Sequence, residues 1–184
     1  MDNNSYHESQ IHNFNQGSFL PILENYFWLI EQGVVKTYTW NEEGSETVLG
    51  YWGQEDVVGQ PLSPISPYAI KCLTKITASL INLQSGDRLS PCIYKHIQQS
   101  EELLYIIRSD RVYDKLKRLL IWFANKFGQE VAQGTLITFP LTHQELSDAL
   151  SATRVSITKL VNQLEQEKFL VRRGRKYIIV NSEI

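Results

Sequence analysis

The stretch "LTHQELSDALSATRVSITKLVNQLEQEKFLVRRGRK", residues 141–176, decides how the chain is read. It holds two short helical patterns, a minimal gap, and then a run of positive charge. Thr142 followed by Glu145 has the form of a capping box, and Leu141 is placed to staple onto Leu146. Leu146, Ala149 and Leu150 form one apolar stripe. Thr153 is a capping residue for a second helix. At 100° per residue Ile157, Leu160, Val161 and Leu164 share a face. Val155, Thr158, Lys159 and Asn162 lie roughly opposite, with Arg154 at the N-terminal edge. A gap of about three to four residues suits a helix-turn-helix connection.

Two amphipathic helices joined by a short turn also occur in ordinary bundles. Three features point instead to DNA. Short donors and cations gather at the start of the second helix, the end that reaches base edges in this motif. Val155 is apolar on a polar face, where it gains nothing from water but can meet a thymine methyl. "KFLVRRGRKYIIV" alternates like a strand on either side of Arg173-Gly174-Arg175, which predicts a hairpin with a basic tip able to touch phosphates. The candidate DNA-facing set is Thr142, His143, Gln144, Thr153, Arg154, Val155, Ser156, Thr158, Lys159 and Asn162 on the helices, with Arg172, Arg173, Arg175 and Lys176 on the wing.

The segment resembles the winged helix-turn-helix of the Crp/Fnr transcription regulators, and most of all the cyanobacterial global nitrogen regulator branch, where a Thr-Arg-Val stretch opens the recognition helix. The resemblance implies that His143 and Gln144 lie over the DNA backbone, that Thr153 and Ser156 bond phosphates, and that Arg154, Val155 and Lys159 face the bases. The family's catabolite activator has Glu where this chain has Val155, so a different half-site is expected. Ser151 stands where the family usually has Gly in the turn.

The 184 residues allow one or two domains with their own cores. No run of about 18 apolar residues is present, so no membrane span is expected, and the polar N-terminus lacks the regions of a signal peptide. Cys72 and Cys92 are too few for a disulfide framework and read as buried thiols, which with the rest suits the cytoplasm. Residues 1–98 carry 5 Lys/Arg against 10 Asp/Glu, whereas residues 137–184 carry 7 against 5, so the polyanion-binding end is the C-terminal one.

Residues 14–83 read as all-β. "YFWLIEQGVVKTYTW" and "ETVLGYW" are rich in aromatic and β-branched residues, "NEEG" at 41–44 is a hairpin turn, and further strands fit "AIKCLT" and "ASLINL". A plain sandwich or barrel satisfies this pattern. By resemblance it is the family's double-stranded β-helix (β-roll) sensor domain, with Gly33, Gly44, Gly53 and Gly59 at turns. Its front is short, which predicts the loss of one strand or of a leading helix. Residues 99–127 read as one long helix ending at Gly128, roughly 40 Å at 1.5 Å per residue. That outruns a small β-domain, so part of the stripe Leu103, Ile106, Ile107, Tyr113, Leu116, Leu120 and Phe123 is expected to form a dimer seam, as the family's corresponding helix does. The fold class is thus α+β, in three parts: β-roll (1–98), long dimerisation helix (99–128) and winged helix-turn-helix (129–184).

No catalytic set, metal spacing or cofactor motif is found: the four histidines are scattered, and "GQEDVVG" at 53–59 reads as a β-turn rather than a cation site. In the family a cyclic nucleotide needs a carboxylate for the ribose and an Arg-Ser or Arg-Thr pair for the phosphate. Here the matching "GQPLSPISPYA" has Gln60 and Pro67-Tyr68, which argues against cyclic AMP. The iron–sulfur variant needs four cysteines. A pocket for another effector, such as a small dicarboxylate, would use Gln60 and Tyr68 with Arg108 or Arg111. The expected protein is a homodimeric, DNA-binding transcription regulator, with RNA polymerase and a small-molecule effector as further candidate partners. The sequence also admits two rivals: a cupin-like ligand-binding β-roll, which predicts a metal, and a protein–protein adaptor that keeps the fold but not the DNA binding.

Overall fold

The structure, a computed structural model, describes residues 10–84, 86–108 and 111–180. The chain divides into two compact units, residues 1–101 and 102–184.

The first unit is built on eight strands: β1 (Ile11–Phe14), β2 (Phe19–Leu20), β3 (Tyr26–Gln32), β4 (Val35–Trp40), β5 (Glu46–Trp52), β6 (Val57–Val58), β7 (Ala69–Cys72) and β8 (Ile76–Asn82). They form two four-stranded antiparallel sheets, ordered β1-β8-β3-β6 and β2-β7-β4-β5. Side chains alternate across a pleated strand, and Trp28, Ile30, Val35, Trp52, Ile70, Ile76 and Leu80 meet in the buried core. Two short strands, β1 and β2, precede the first long hydrophobic strand. The first is four residues and half polar and the second is only two residues, so hydropathy does not announce them.

The β4–β5 turn forms where "NEEG" predicted it. The Asn41 side-chain oxygen accepts from the backbone N–H of Glu43 and of Ser45, at 3.1 and 2.8 Å, and Gly44 takes the left-handed conformation at φ +79°. A bulge interrupts the β4–β5 ladder between Thr37 and Tyr38. Opposite it sits Gly50, where a Cβ would lie 2.3 Å from the Trp52 ring. The bulge and the missing side chain together seat the Trp52 indole.

Helix α1 (Gly86–Ile107) is latched to this unit through its first half. Buried Asp56 receives Lys95 Nζ at 3.0 Å, the Gln99 amide at 2.8 Å and the Gly53 backbone N–H at 2.8 Å. His96 Nδ1 donates to the Val57 carbonyl at 3.1 Å. Leu89 packs with Phe27, Val57 and Ile81.

The second unit contains the end of α1, then α2 (Val112–Phe127), β9 (Gly128–Val131), β10 (Gly134–Ile137), α3 (His143–Leu150), α4 (Arg154–Gln166), β11 (Leu170–Arg173) and β12 (Lys176–Ile179). Its sheet is ordered β11-β12-β10-β9. Phe139 meets Phe123 and Phe127 edge-on, at centroid separations of 5.1 and 5.4 Å. At Gly128 helix gives way to strand without a linker. A Cβ there would fall 2.0 Å from the Ala124 carbonyl oxygen.

The single helix expected over 99–127 is two. α1 begins thirteen residues earlier and ends at Ile107, and Arg111 is extended (φ −102°, ψ 134°) before α2 starts. Ser109 and Asp110 lie outside the described residues. Serine and aspartate are residue types that favour helix ends, a local sequence signal that the continuous apolar periodicity hides. The expected seam changes with it. Leu116, Leu120 and Phe123 are fully buried in the core of the second unit, and Leu103 and Ile106 are also buried, while Ile107 and Tyr113 are half-buried. A side chain already packed inside its own domain is not available to a second copy.

Candidate nucleic-acid interface

The helix-turn-helix forms with the caps its sequence encodes. Thr142 accepts from the Glu145 N–H at 3.1 Å, and Glu145 Oε2 returns to the Thr142 N–H at 2.8 Å, which closes the capping box. Leu141 and Leu146 are both buried, as a hydrophobic staple requires. α3 ends at Ser151, which holds the left-handed conformation (φ 50°, ψ 43°) while Ala152 N–H reaches back to the Ser147 carbonyl at 3.0 Å. This is the position that favours Gly, and the serine adopts it all the same. Thr153 caps α4 by accepting from the Ser156 N–H at 3.1 Å, and its hydroxyl meets that of Ser156 at 2.8 Å. At the far end Phe169 N–H bonds to the Leu164 carbonyl and Lys168 N–H to that of Glu165, with Lys168 at φ 59°. That is a Schellman closure.

Ile157, Val161 and Leu164 are fully buried, which fixes the orientation of α4. Arg154, Val155 and Lys159 are exposed on its first turns, Val155 to 66%. The remaining outer-face residues are not equally available. Thr158 is half-buried; its hydroxyl donates to the Arg154 carbonyl at 2.9 Å and lies 2.8 Å from His143 Nδ1. Gln144 donates to Asp148 at 2.7 Å. Asn162 accepts from the Arg172 guanidinium, which also pairs with Glu165 at 3.1 Å. Burial, then the charges of Arg172 and Arg154, hold the His143 pKa below the ordinary imidazole value.

The wing is a hairpin with Arg173 paired to Lys176 across a two-residue turn. Gly174 (φ +64°) occupies the first turn position, as a tight hairpin of this twist needs. The Arg175 carbonyl accepts from the Leu141 N–H at 2.8 Å, which fixes the wing to the entrance of α3. Arg173 and Arg175 are exposed and, among the described residues, make no ion pair.

In the first unit a cavity of about 150 Å³ is lined by Thr37, Leu49, Trp52, Leu62, Ser63, Ile65, Tyr68, His96 and Ser100. Of the effector residues expected from sequence only Tyr68 lines it. Gln60 turns its amide to the Ser63 carbonyl at 2.9 Å, and Arg108 and Arg111 are exposed residues of the second unit. Trp52 and His96 stack face to face at 3.8 Å. Sequence reasoning missed His96 and Ser100, because the start of α1 was not recognised.

A family model, the Crp-like helix-turn-helix domain, matches residues 114–183. The regulatory protein CysR of Synechococcus elongatus is 36% identical over 166 residues, covering 87% of this chain and 79% of that protein. The chain belongs to the Crp/Fnr family of transcription regulators. The global nitrogen regulator of the same organism is 25% identical over 170 residues, covering 84% of this chain and 77% of its own length. A transcriptional regulator of the CRP family from Thermus thermophilus has a solved structure that superposes with a TM-score of 0.80 at 15% identity, over 92% of each chain. The Crp/Fnr fold therefore extends over nearly the whole chain, a cyclic-nucleotide-binding-like β-domain followed by the helix-turn-helix. The protein is a DNA-binding transcription regulator. Among the described residues no helix is long and apolar enough to cross a membrane.

Proposed function

We propose that the protein acts in the cytoplasm as a homodimer on a near-palindromic operator, reading bases with Arg154, Val155 and Lys159 and gripping phosphates with Arg173 and Arg175. The observation that carries the reading is the exposure of an apolar side chain, Val155, between two cations on the first turns of α4. Water gives that valine no reason to be there, and a thymine methyl does. Two such helices related by a two-fold axis would enter successive major grooves about 34 Å apart.

Dimerisation is assigned to α1. Tyr94, Ile97, Leu104 and Tyr105 are exposed to between 49% and 69%. Tyr94, Ile97 and Leu104, spaced by three and seven, fall on the a and d positions of a two-stranded coiled coil, with Tyr105 beside them at an e position, so the occupant that fits is a second copy of the same helix. The cavity residues are all uncharged in side chain apart from the titratable His96 and Tyr68. This supports an effector other than a cyclic nucleotide. RNA polymerase is the further partner expected of a regulator of transcription.

Selection of bound sequences from random DNA tests the proposal. An inverted repeat with half-sites one helical turn apart is the expected product. Failure to enrich any motif, with no salt-dependent gel shift, would favour a protein–protein adaptor on the same fold.

A further inference from the structure

We propose that Arg172 does not grip DNA but is a positioning residue: with Asn162 and Glu165 it straps the root of the wing to the recognition helix and so sets how far the wing can reach. The inference rests on the DNA-binding reading above and assigns two residues of that surface, Asn162 and Arg172, a different task.

Asn162 and Glu165 stand three residues apart on α4, so their side chains are neighbours on one face. Arg172 comes from β11, opposite Tyr177 of β12. Its guanidinium donates to Asn162 Oδ1 and pairs with Glu165 Oε2 at 3.1 Å. A guanidinium is a rigid planar fork of donors, and both oxygens meet its Nη2, whose two protons lie in that plane, so together they fix its orientation where an ammonium would not be fixed. The contact also changes what each residue can offer DNA. Asparagine reads adenine with its oxygen accepting from N6 and its amide donating to N7. Here that oxygen is already engaged. Arg172, for its part, sits against the Glu165 carboxylate, so it has little unbalanced charge with which to displace counterions from a phosphate. Arg173 and Arg175, one and three positions further along the hairpin, make no ion pair among the described residues. The wing thus divides into a root fastened to α4 and a tip left for the backbone.

The test measures binding of the full chain to its selected operator by fluorescence anisotropy across a salt series. Arg172→Ala should weaken binding about tenfold, the scale of one charge-assisted hydrogen bond, and leave the salt slope unchanged. Arg173→Ala, the control, should lower the slope by about one unit. Asn162→Ala should cause a similar loss without relaxing preference at any single base position. In the Arg172→Ala background it should have no further effect. Arg172→Lys, which keeps the charge but not the fork, should resemble Arg172→Ala, and it carries the test with Asn162→Ala if the alanine variant does not fold. A slope that falls by one unit in Arg172→Ala, single-position relaxation in Asn162→Ala, additive losses in the double variant, or full recovery with lysine would each overturn the strap. Wild-type protein that binds no DNA would instead remove the reading beneath it.

Discussion

His143 Nδ1 lies 2.8 Å from the Thr158 hydroxyl oxygen, and that hydroxyl donates onward to the Arg154 carbonyl at 2.9 Å. A hydroxyl has one proton, so the imidazole must be the donor in the first bond. The bond joins the first residue of α3 to the first turns of the recognition helix. The His143 pKa is lowered by burial first and by Arg172 and Arg154 next. The folded state therefore takes up this proton less readily than the unfolded chain. The contribution to stability is complete above the unfolded value of about 6.5 and is lost as pH falls from there through the depressed folded value. Urea unfolding of the wild type and of His143→Gln from pH 5 to 8 should show the wild type losing stability more steeply on the acid side. Parallel profiles would remove His143 as the source.

Ser151 holds a conformation that costs an L-residue roughly 1–2 kcal/mol, partly offset by the greater freedom glycine loses on folding. Ser151→Gly should stabilise the protein by about 0.5–1 kcal/mol, measured by chemical denaturation. A destabilised variant would mean that the serine side chain contributes more than its backbone strain.

Val155→Glu should move the preferred half-site toward a C·G pair at the contacted step, because a carboxylate accepts from cytosine N4 and a valine cannot. The original site should lose about 1–3 kcal/mol. Repeated selection from random DNA reads the change directly, and an unaltered motif would place Val155 off the bases.

Ile97→Glu should give monomers in light scattering and weaken operator binding, since it sets a charge in the α1 seam. Leu116→Ala should do something different: destabilise the fold by about 2–5 kcal/mol without changing the oligomeric state of the folded protein. Persistence of the dimer in Ile97→Glu would move the seam off α1.

Calorimetry with millimolar cyclic AMP should show no saturable heat. Among the described residues no Lys or Arg lines the cavity, and burying a phosphate charge without a partner is expensive. A micromolar isotherm would contradict the assignment.

What could be read from the sequence follows the range of the forces involved. The Thr142–Glu145 box, the Asn41 turn, the outward Val155 and the Gly174 hairpin are all set by residues within a few positions of one another, and each appears where its local chemistry placed it. The failures are longer in range. Periodicity runs unbroken through Ile107 and Tyr113, which predicts one helix where two exist. Angular spacing put Thr158 and Asn162 on the outer face, but it carries no knowledge that His143 and Arg172 arrive from other elements to occupy them. Glu165 went unremarked for the same reason. The exposed α1 residues Tyr94, Ile97 and Leu104 form a pattern only on a helix that starts at Gly86 rather than at residue 99.

The packing that Gly50 permits also gives the molecule an optical reporter. Of its four tryptophans, Trp52 is the one that lines the cavity, with its indole stacked at 3.8 Å and 5° on His96 and its Nε1 bonded to Thr37. An indole's emission depends on what its ring touches, so the brightness of Trp52 depends on the imidazole stacked on it. Any molecule that enters and parts the two rings should change that emission without a label, and a Trp52→Phe variant identifies the part of the signal that belongs to this ring.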